Sequence, residues 1–512
     1  MKGIKRAYGT ISEWWPGLVV AVSALLLRLL HVYMTAARNP LADQLVLDGS
    51  TYDTWARAVA FGGGPIPSRL MQAPLYPWFL AAVYSIFGPH LTAVRIVQAL
   101  MGTASCWLIY AITKRLFEPR PAAFIAGMAA ALYLPLVFYE GVLVPATLIV
   151  FLNLLFVAVI VQGGDRPGYA RLTAAGLLLG LSIAAKPVAG LLFPFAVLHL
   201  LLARGTGGPG TRIRAMLKPA LILLAATAAA ILPVTIRNAR ITGEFIPVTT
   251  GLGINYYHGS NPEANGFYAV PSYRGTYIGS TPEEQIRSIT EIASAETGRE
   301  LSPSEVSGFW FKKGLEYNRE HPRRFLDLLA AKALFFWNKH ERANVENFSS
   351  HRELPGVLGL TLLTFGAAAP LALLGIFLTR DRAKRLWLLY GGVITYFFSA
   401  LAFYVLARYR LPVVPFLLPF AGAGLVELHA LLRGGRRGEF ICMIAALAAL
   451  LYFVNLTAAI DTPTGRSAFF TRVGHAYVVR GEQAEAVAAY RKAIRIDPNN
   501  ETAREALERI EE

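Results

Sequence analysis

Leu47-Asp48-Gly49-Ser50-Thr51-Tyr52-Asp53-Thr54-Trp55-Ala56, just beyond the first hydrophobic segment, is the stretch from which the chain has to be read. It gathers acidic and polar groups beside an apolar run, then continues through Gly62-Gly63-Gly64 to Ala73-Pro74-Leu75-Tyr76-Pro77. Ser50 followed by Asp53 has the spacing of a capping box, and Tyr52, Trp55 and Val59 recur at helical spacing as an apolar face. With Ser50 as the cap, Asp48 is left over. Either it orders the turn, as Asp commonly does before a helix, or it is a carboxylate held at a bilayer surface to bind or deprotonate a substrate.

Composition decides the setting. Of 512 residues, 54% are hydrophobic and only 16% charged, against about 25% charged in soluble domains. The formal charge of +16 resides mostly in short loops between apolar runs, the pattern of membrane-orientation signals, which argues against a nucleic-acid partner. Cys106 and Cys442 both fall in apolar segments, so no disulfide framework is expected. Lys2, Lys5 and Arg6 precede an apolar run that contains Arg28 and lacks a small-residue cleavage site, so the run reads as a retained first span.

A spanning helix needs roughly 20 apolar residues, which gives about eleven candidate spans: 17–36, 91–113, 121–139, 143–162, 170–185, 187–203, 218–236, 356–378, 386–406, 411–431 and 439–459. With a cytoplasmic N-terminus, the five inward connections, among them Lys114-Arg115…Arg120 and Arg380-Asp381-Arg382-Ala383-Lys384-Arg385, are all net basic. That parity places Asp48, Glu140, Lys186, the 237–355 loop and the C-terminus on the outer side of the membrane. The aromatic segment 75–88 is too short to span and suits a helix lying in the interface.

The long outer loop does not have the pattern of a sheet domain. Gly251 to Pro262 reads as turns; two amphipathic helices follow at about 282–297 and 303–320, the second opening on the start signal Ser302-Pro303-Ser304-Glu305. From about residue 467, Gly474, Tyr477, Gly481, Ala486, Tyr490, Ala493 and Pro498 match one tetratricopeptide (TPR) unit. A single unit cannot bury a continuous core, so it should dock on the outer loop, on another copy or on a protein partner.

Ionisable groups at the outer edge of the spans are functional candidates because hydrocarbon penalises them. Glu140 sits in a very short turn, as a solvated acid or a working one. Arg408 and Arg410, in Ala407-Arg408-Tyr409-Arg410-Leu411-Pro412, run against the positive-inside trend. They are either interface anchors or a phosphate clamp, for which the guanidinium fork is suited. Lys186, Arg69 and Arg237 are weaker candidates for the same task. His258, or His340 near Glu341, leaves a divalent metal open as the sole cofactor, although no ligand spacing supports it. No Walker loop, dinucleotide fingerprint or nucleophile elbow is present.

Asp48 with Tyr52, Ala73 to Pro77, Ala185-Lys186-Pro187, Pro233…Arg237-Asn238, Gly253-Ile254-Asn255…Gly259-Ser260-Asn261-Pro262 and Ala407 to Pro412 form an ordered set. Over roughly residues 10–460 it resembles bacterial glycosyltransferase family 39, similar to protein O-mannosyltransferases and lipid A aminoarabinose transferases. The resemblance implies an all-α polytopic membrane protein with the GT-C fold, and transfer of a sugar from a polyprenyl-phosphate donor to an acceptor (protein, lipid or glycan) at the outer face. It maps the essential carboxylate onto Asp48 and a second acid onto Glu140. Gly49 stands where those branches carry an acid, and Gln72-Ala73 precede Pro74 where they prefer a charged residue and proline.

The expected layout is a membrane module over 1–236 with its first outer loop at 37–90, an outer-loop domain over 237–355, membrane helices over 356–460 and the TPR-like unit over 467–512. Arg408, Arg410, Lys186 and Arg237 are the expected phosphate ligands; Tyr52, Asn255, Tyr256, His258 and Asn261 are the expected substrate-loop residues. A phosphate leaving group needs cations and the acceptor hydroxyl needs a base, so one carboxylate suffices where a glycosidase would need two. The rival readings are a lipid-linked substrate transporter or flippase, which would place ionisable groups at the midplane, and a membrane-anchored TPR scaffold.

Overall fold

Each of these apolar segments falls on helix in the computed structural model, which describes residues 2–62, 70–118, 120–164, 167–203, 209–279, 281–343, 346–456 and 463–511. Among the described residues, six helices are long and apolar enough to cross a membrane: Trp15–Arg38, Leu91–Leu116, Arg214–Thr242, Arg380–Ala402, Ala407–Arg433 and Arg437–Asn455. A seventh span counts if Leu134–Gly141 and Ala146–Gln162, bent 120° apart, are taken as one. The other expected spans are the shorter apolar helices Pro121–Leu132, Tyr169–Ala185, Pro187–Leu202 and Phe365–Leu378.

The shortening has local causes. Tyr133 leaves the helical region to form a bridge with Leu363, and Leu134 donates its amide to the Leu363 carbonyl at 3.0 Å. That same bridge separates a 3-10 turn at Val357–Gly359 from the α-helix of the eighth apolar segment, which begins only at Phe365. Lys186-Pro187 ends one helix and starts a short 3-10 turn, since Pro disfavours helix in the residue before it. Small residues let backbones approach: a Cβ on Gly176 would lie 2.5 Å from the Leu223 carbonyl oxygen, and one on Gly180 2.4 Å from that of Thr227.

The two ends of the bundle differ in what they carry. At one end the basic connections meet: Arg382 reaches the Glu118 carbonyl at 3.3 Å and the Glu427 carboxylate at 2.9 Å, and Arg385 donates to the Arg115 carbonyl. The other end carries the first outer loop and the long loop. There Asp48–Phe61 packs with the 13-residue Leu75–Phe87 in a common cluster around Tyr52, Tyr76, Leu80 and Tyr84. The capping expectation fails: the helix starts at Asp48 behind Leu47, with no side-chain cap. Asp53 instead accepts from Arg57 at 2.7 Å and from the Tyr84 hydroxyl at 2.5 Å.

The regular elements of the long loop are helices and, among the described residues, one hairpin of two-residue strands at Ser272–Tyr273 and Thr276–Tyr277. Pro282–Thr297 and Pro303–Glu320 form where expected, each with a capping box, Thr281/Glu284 and Ser302/Glu305. The segment read as turns contains a helix, Leu252–His258, because Ile254 and Tyr257 at i,i+3 bury together against Trp310. Pro463–Val479, Gln483–Ile496 and Glu501–Glu511 form the terminal helical unit, with Ala486, Tyr490 and Ala493 in its core. It docks on the outer loop: Glu353 binds Arg466 at 2.6 Å and Lys492 at 2.8 Å, and Leu41 and Leu354 enter its core.

Candidate active site

Asp48 is the first residue of its helix, and the backbone before it is strained. Leu47 has φ 48° and ψ −123°, a conformation costly for a bulky side chain. The twist turns Asp48 toward the Ala407–Arg410 turn, where Arg408 Nη1 donates to Asp48 Oδ2 at 2.5 Å. Gln72 Nε2 donates to Asp48 Oδ1 at 3.2 Å, so both carboxylate oxygens are held. The side chains are only 18% and 11% exposed, enough enclosure to strengthen the pairing well beyond that of a surface ion pair.

A second cation lies beside this pair, and a third sits farther along the Asp48 helix. Lys186 Nζ lies 3.6 Å from the centre of the Tyr409 ring, and Arg408 Nη2 reaches the Tyr409 hydroxyl at 3.4 Å. Arg237 lies 5.1 Å from the ring of Trp55, on the same helix as Asp48. Arg408 Nε is buried without a hydrogen-bond partner. Residues from four separate stretches of sequence thus converge on one end of the bundle.

The outer loop supplies an aromatic wall. Tyr404 donates its hydroxyl to Asn255 Oδ1 at 2.5 Å and stacks near Tyr409, with ring centres 5.8 Å apart. His258 is 2% exposed, lies against Tyr268 at 5.1 Å, and has no hydrogen-bond partner at either ring nitrogen. Burial pushes its pKa down to about 3, so it is neutral at physiological pH. Burial also raises the Tyr52 phenol above its usual range, with the Asp48 charge acting in the same direction. Lys332, with its pKa lowered to about 8 by burial, donates to the Gly259 and Leu401 carbonyls at 2.9 and 3.1 Å and ties this wall to the bundle.

Several expected site residues do other work. Arg410 is 2% exposed and already engaged: it donates to the carbonyls of Phe336 at 3.0 Å, Asn338 and His340 at 3.0 Å, and pairs with Glu341 at 2.9 Å. Its fork secures the end of Pro322–Trp337 and does not face Asp48. Glu140 is not a surface acid. At 3% exposure it pairs with Arg28 at 2.8 Å inside the bundle, in space left by Gly102, where a Cβ would come within 2.0 Å of the carboxylate. Asn261 caps its own turn by donating to the Tyr257 carbonyl at 2.7 Å, and Tyr256 accepts from Asn318 at 3.0 Å. Arg69 lies outside the described residues.

Among the described residues no three His, Cys, Asp or Glu side chains converge as metal ligands; Glu341 is taken by Arg410 and His258 sits among tyrosines. Gln72, Tyr404, Tyr409 and Tyr268 belong to the site but were not picked out by sequence. Tyr409 stands between the two arginines, and Gln72 marks a departure from the resembled branches. Those were the available signals.

Residues 71–236 match the family described as dolichyl-phosphate-mannose-protein mannosyltransferase, and residues 474–507 match a TPR repeat. No curated protein matches the chain significantly. Among solved structures it is similar to the Archaeoglobus fulgidus oligosaccharyltransferase tethered with an acceptor peptide (12% identity, 90% of this chain and 57% of that one, TM-score 0.48). The same enzyme, AglB, in complex with an inhibitory peptide and a dolichol-phosphate is similar at 13% identity (97% and 56% coverage, TM-score 0.48). ArnT from Cupriavidus metallidurans bound to undecaprenyl phosphate gives 16% identity, 80% and 77% coverage, and TM-score 0.36. The chain spans little more than half the length of the archaeal enzyme, 57% of it in the first comparison.

Proposed function

Proceeding from a chain that carries a segment of the dolichyl-phosphate-mannose-protein mannosyltransferase family over residues 71–236 and one TPR repeat, we propose that it is a membrane glycosyltransferase. It moves a sugar from a polyprenyl-phosphate carrier to an acceptor hydroxyl at the outer face of a bacterial inner membrane. The observation that carries the reading is the 2.5 Å contact between Asp48 and Arg408, with Lys186 beside it. A carboxylate and two cations at one end of a membrane bundle are the parts this reaction needs.

The acceptor oxygen forms the new bond to the anomeric carbon as that carbon's bond to the phosphate oxygen breaks. The bonding electrons leave with the phosphate, and the hydroxyl proton passes to Asp48. Arg408 and Lys186 stabilise the charge gathering on the phosphate, through a fork and a point charge respectively. Carrier binding draws Arg408 toward phosphate and frees Asp48 Oδ2 for the acceptor. Arg237 stands behind Trp55 as a secondary cation, and Asn255, Tyr404, Tyr409 and His258 bound the space beside the carboxylate. Glu140 takes a structural role. Its partner Arg28 is the main charge inside the spans, and the pairing answers that charge in place.

The test uses full-length protein in lipid nanodiscs, a panel of radiolabelled polyprenyl-phosphate sugars and membrane extract as acceptor. Asp48→Asn should lower transfer by at least about a hundredfold, the lower range of general-base contributions, with carrier affinity retained. Turnover near that of wild type would remove Asp48 from the role.

A further inference from the structure

Beside Asp48's first turn lies a small, open cleft of about 70 Å³. Its walls are the end of the first span (His31, Thr35), the connector from Asn39 to Gly49, Arg95, the Phe138–Leu143 turn and the segment from Glu346 to Leu358. Gly49, next to Asp48, lines it. A group bound there lies one residue along the chain from the carboxylate, in a space that neither Asp48 nor Arg408 lines.

The cleft holds a cation with one unfilled donor, on which the exposed Asp43 carboxylate acts only through space. Arg95 is 4% exposed; its Nε donates to the Gly141 carbonyl at 3.1 Å and its Nη2 to the Ala42 carbonyl, but Nη1 is buried with no partner. An orphaned guanidinium donor in a buried site is costly unless a ligand satisfies it. Glu346 does not serve it, because its carboxylate already binds Arg472 of the repeat unit at 3.2 Å and faces His351 at 3.7 Å.

The repeat unit holds most of one wall. Besides Arg472 on Glu346, Phe469 lies against His351 at 5.0 Å between ring centres, Arg480 donates to the Asn39 carbonyl at 2.8 Å, and Leu41 and Leu354 enter the repeat's core. Asn39, Leu41, Glu346, His351 and Leu354 all line the cleft.

We propose that this cleft is a second ligand site, taking an anionic group (phosphate or carboxylate) of the acceptor on Arg95, and that the repeat unit is its clasp. Assignment to the acceptor rests on the reading of Asp48 and Arg408 given above; the anion preference does not.

Thr35→Cys in a Cys442→Ala background places one accessible thiol in the cleft, since Cys106 is buried. Full-length protein in nanodiscs is labelled with a sulfonate-bearing and a trimethylammonium-bearing methanethiosulfonate, and their rate ratio is normalised to free cysteine. Arg95→Gln should cut the relative rate of the anionic reagent about tenfold, the order expected for one unit charge at short range in a partly aqueous space. Arg95→Lys should keep the ratio, and Glu346→Gln should raise it. A ratio unmoved by Arg95→Gln and Glu346→Gln overturns the anion site. Glu353→Lys, which loosens the repeat, should speed both reagents alike; unchanged rates overturn the clasp. Saturating undecaprenyl phosphate should leave Thr35→Cys labelling unchanged and slow labelling of Gln72→Cys. Protection at Thr35→Cys overturns the acceptor assignment in favour of the carrier, whereas lack of protection at Gln72→Cys counts against the Asp48–Arg408 reading and leaves the anion result standing.

Discussion

At the scale of single residues, Leu47 and Glu140 separate catalytic need from structural need. Leu47 sits at φ 48° directly before Asp48, and nothing in its side chain requires that conformation. Leu47→Gly should therefore hold stability or raise it by up to about 1 kcal/mol, while Leu47→Val should lower it by about 1–2 kcal/mol, as read from thermal unfolding in detergent. Both variants should keep the Asp48–Arg408 contact if strain alone is at stake. Glu140→Gln should behave differently. It leaves Arg28 buried without a counter-charge, at a cost of about 3 kcal/mol or more, whereas a paired Arg28→Met, Glu140→Leu replacement should recover most of the loss. A Glu140→Gln protein of native stability but without transfer activity would return Glu140 to the reaction.

At the scale of elements, the outer-loop helices are held by specific ties, and one of them titrates. Lys332 joins the turn at Gly259 to the chain at Leu401. Burial lowers its pKa from 10.5 to about 8. The unfolded chain therefore binds a proton that the folded chain lacks between those two values. The penalty for burying Lys332 is fully present below pH about 8 and is relieved as pH rises toward 10.5, with a slope of up to about 1.4 kcal/mol per pH unit. Lys332→Met should remove that rise, seen as the difference between the two proteins' stability–pH curves from pH 7 to 10. Helices with their own start signals, such as Pro303–Glu320 after Ser302, were legible one by one. Leu252–His258 was not, because its glycines and asparagines favour turns and only the packing of Ile254 and Tyr257 on Trp310 makes it a helix.

At the scale of the whole molecule, the repeat unit joins the two outer loops that frame the site. Glu353 is its anchor, with Arg466 and Lys492 on one carboxylate. Glu353→Lys should release the unit, seen as faster proteolysis of residues after about 456 while the membrane bundle remains intact, and Lys492→Glu in the same chain should partly restore protection. Equal protease resistance of wild type and Glu353→Lys would show that apolar contacts through Leu41 and Leu354 suffice. The number of unbroken spans also belongs to this scale: hydropathy marks where the chain is apolar, and tertiary contacts such as the Tyr133–Leu363 bridge decide where a helix stops.

By itself the sequence determined the membrane setting, the helical class and the repeat unit, and it offered Asp48, Glu140, Arg408 and Arg410 together as candidates. These follow from apolar run length, loop charge and local spacing, which are properties of neighbouring residues. The tertiary structure alone decided which cation faces Asp48, that Arg410 and Glu140 are consumed by buried partners, and that Gln72 and Tyr409 complete the site. Those outcomes depend on which side chains far apart in the chain come within hydrogen-bonding distance of each other, and arginines two residues apart in one turn necessarily point different ways.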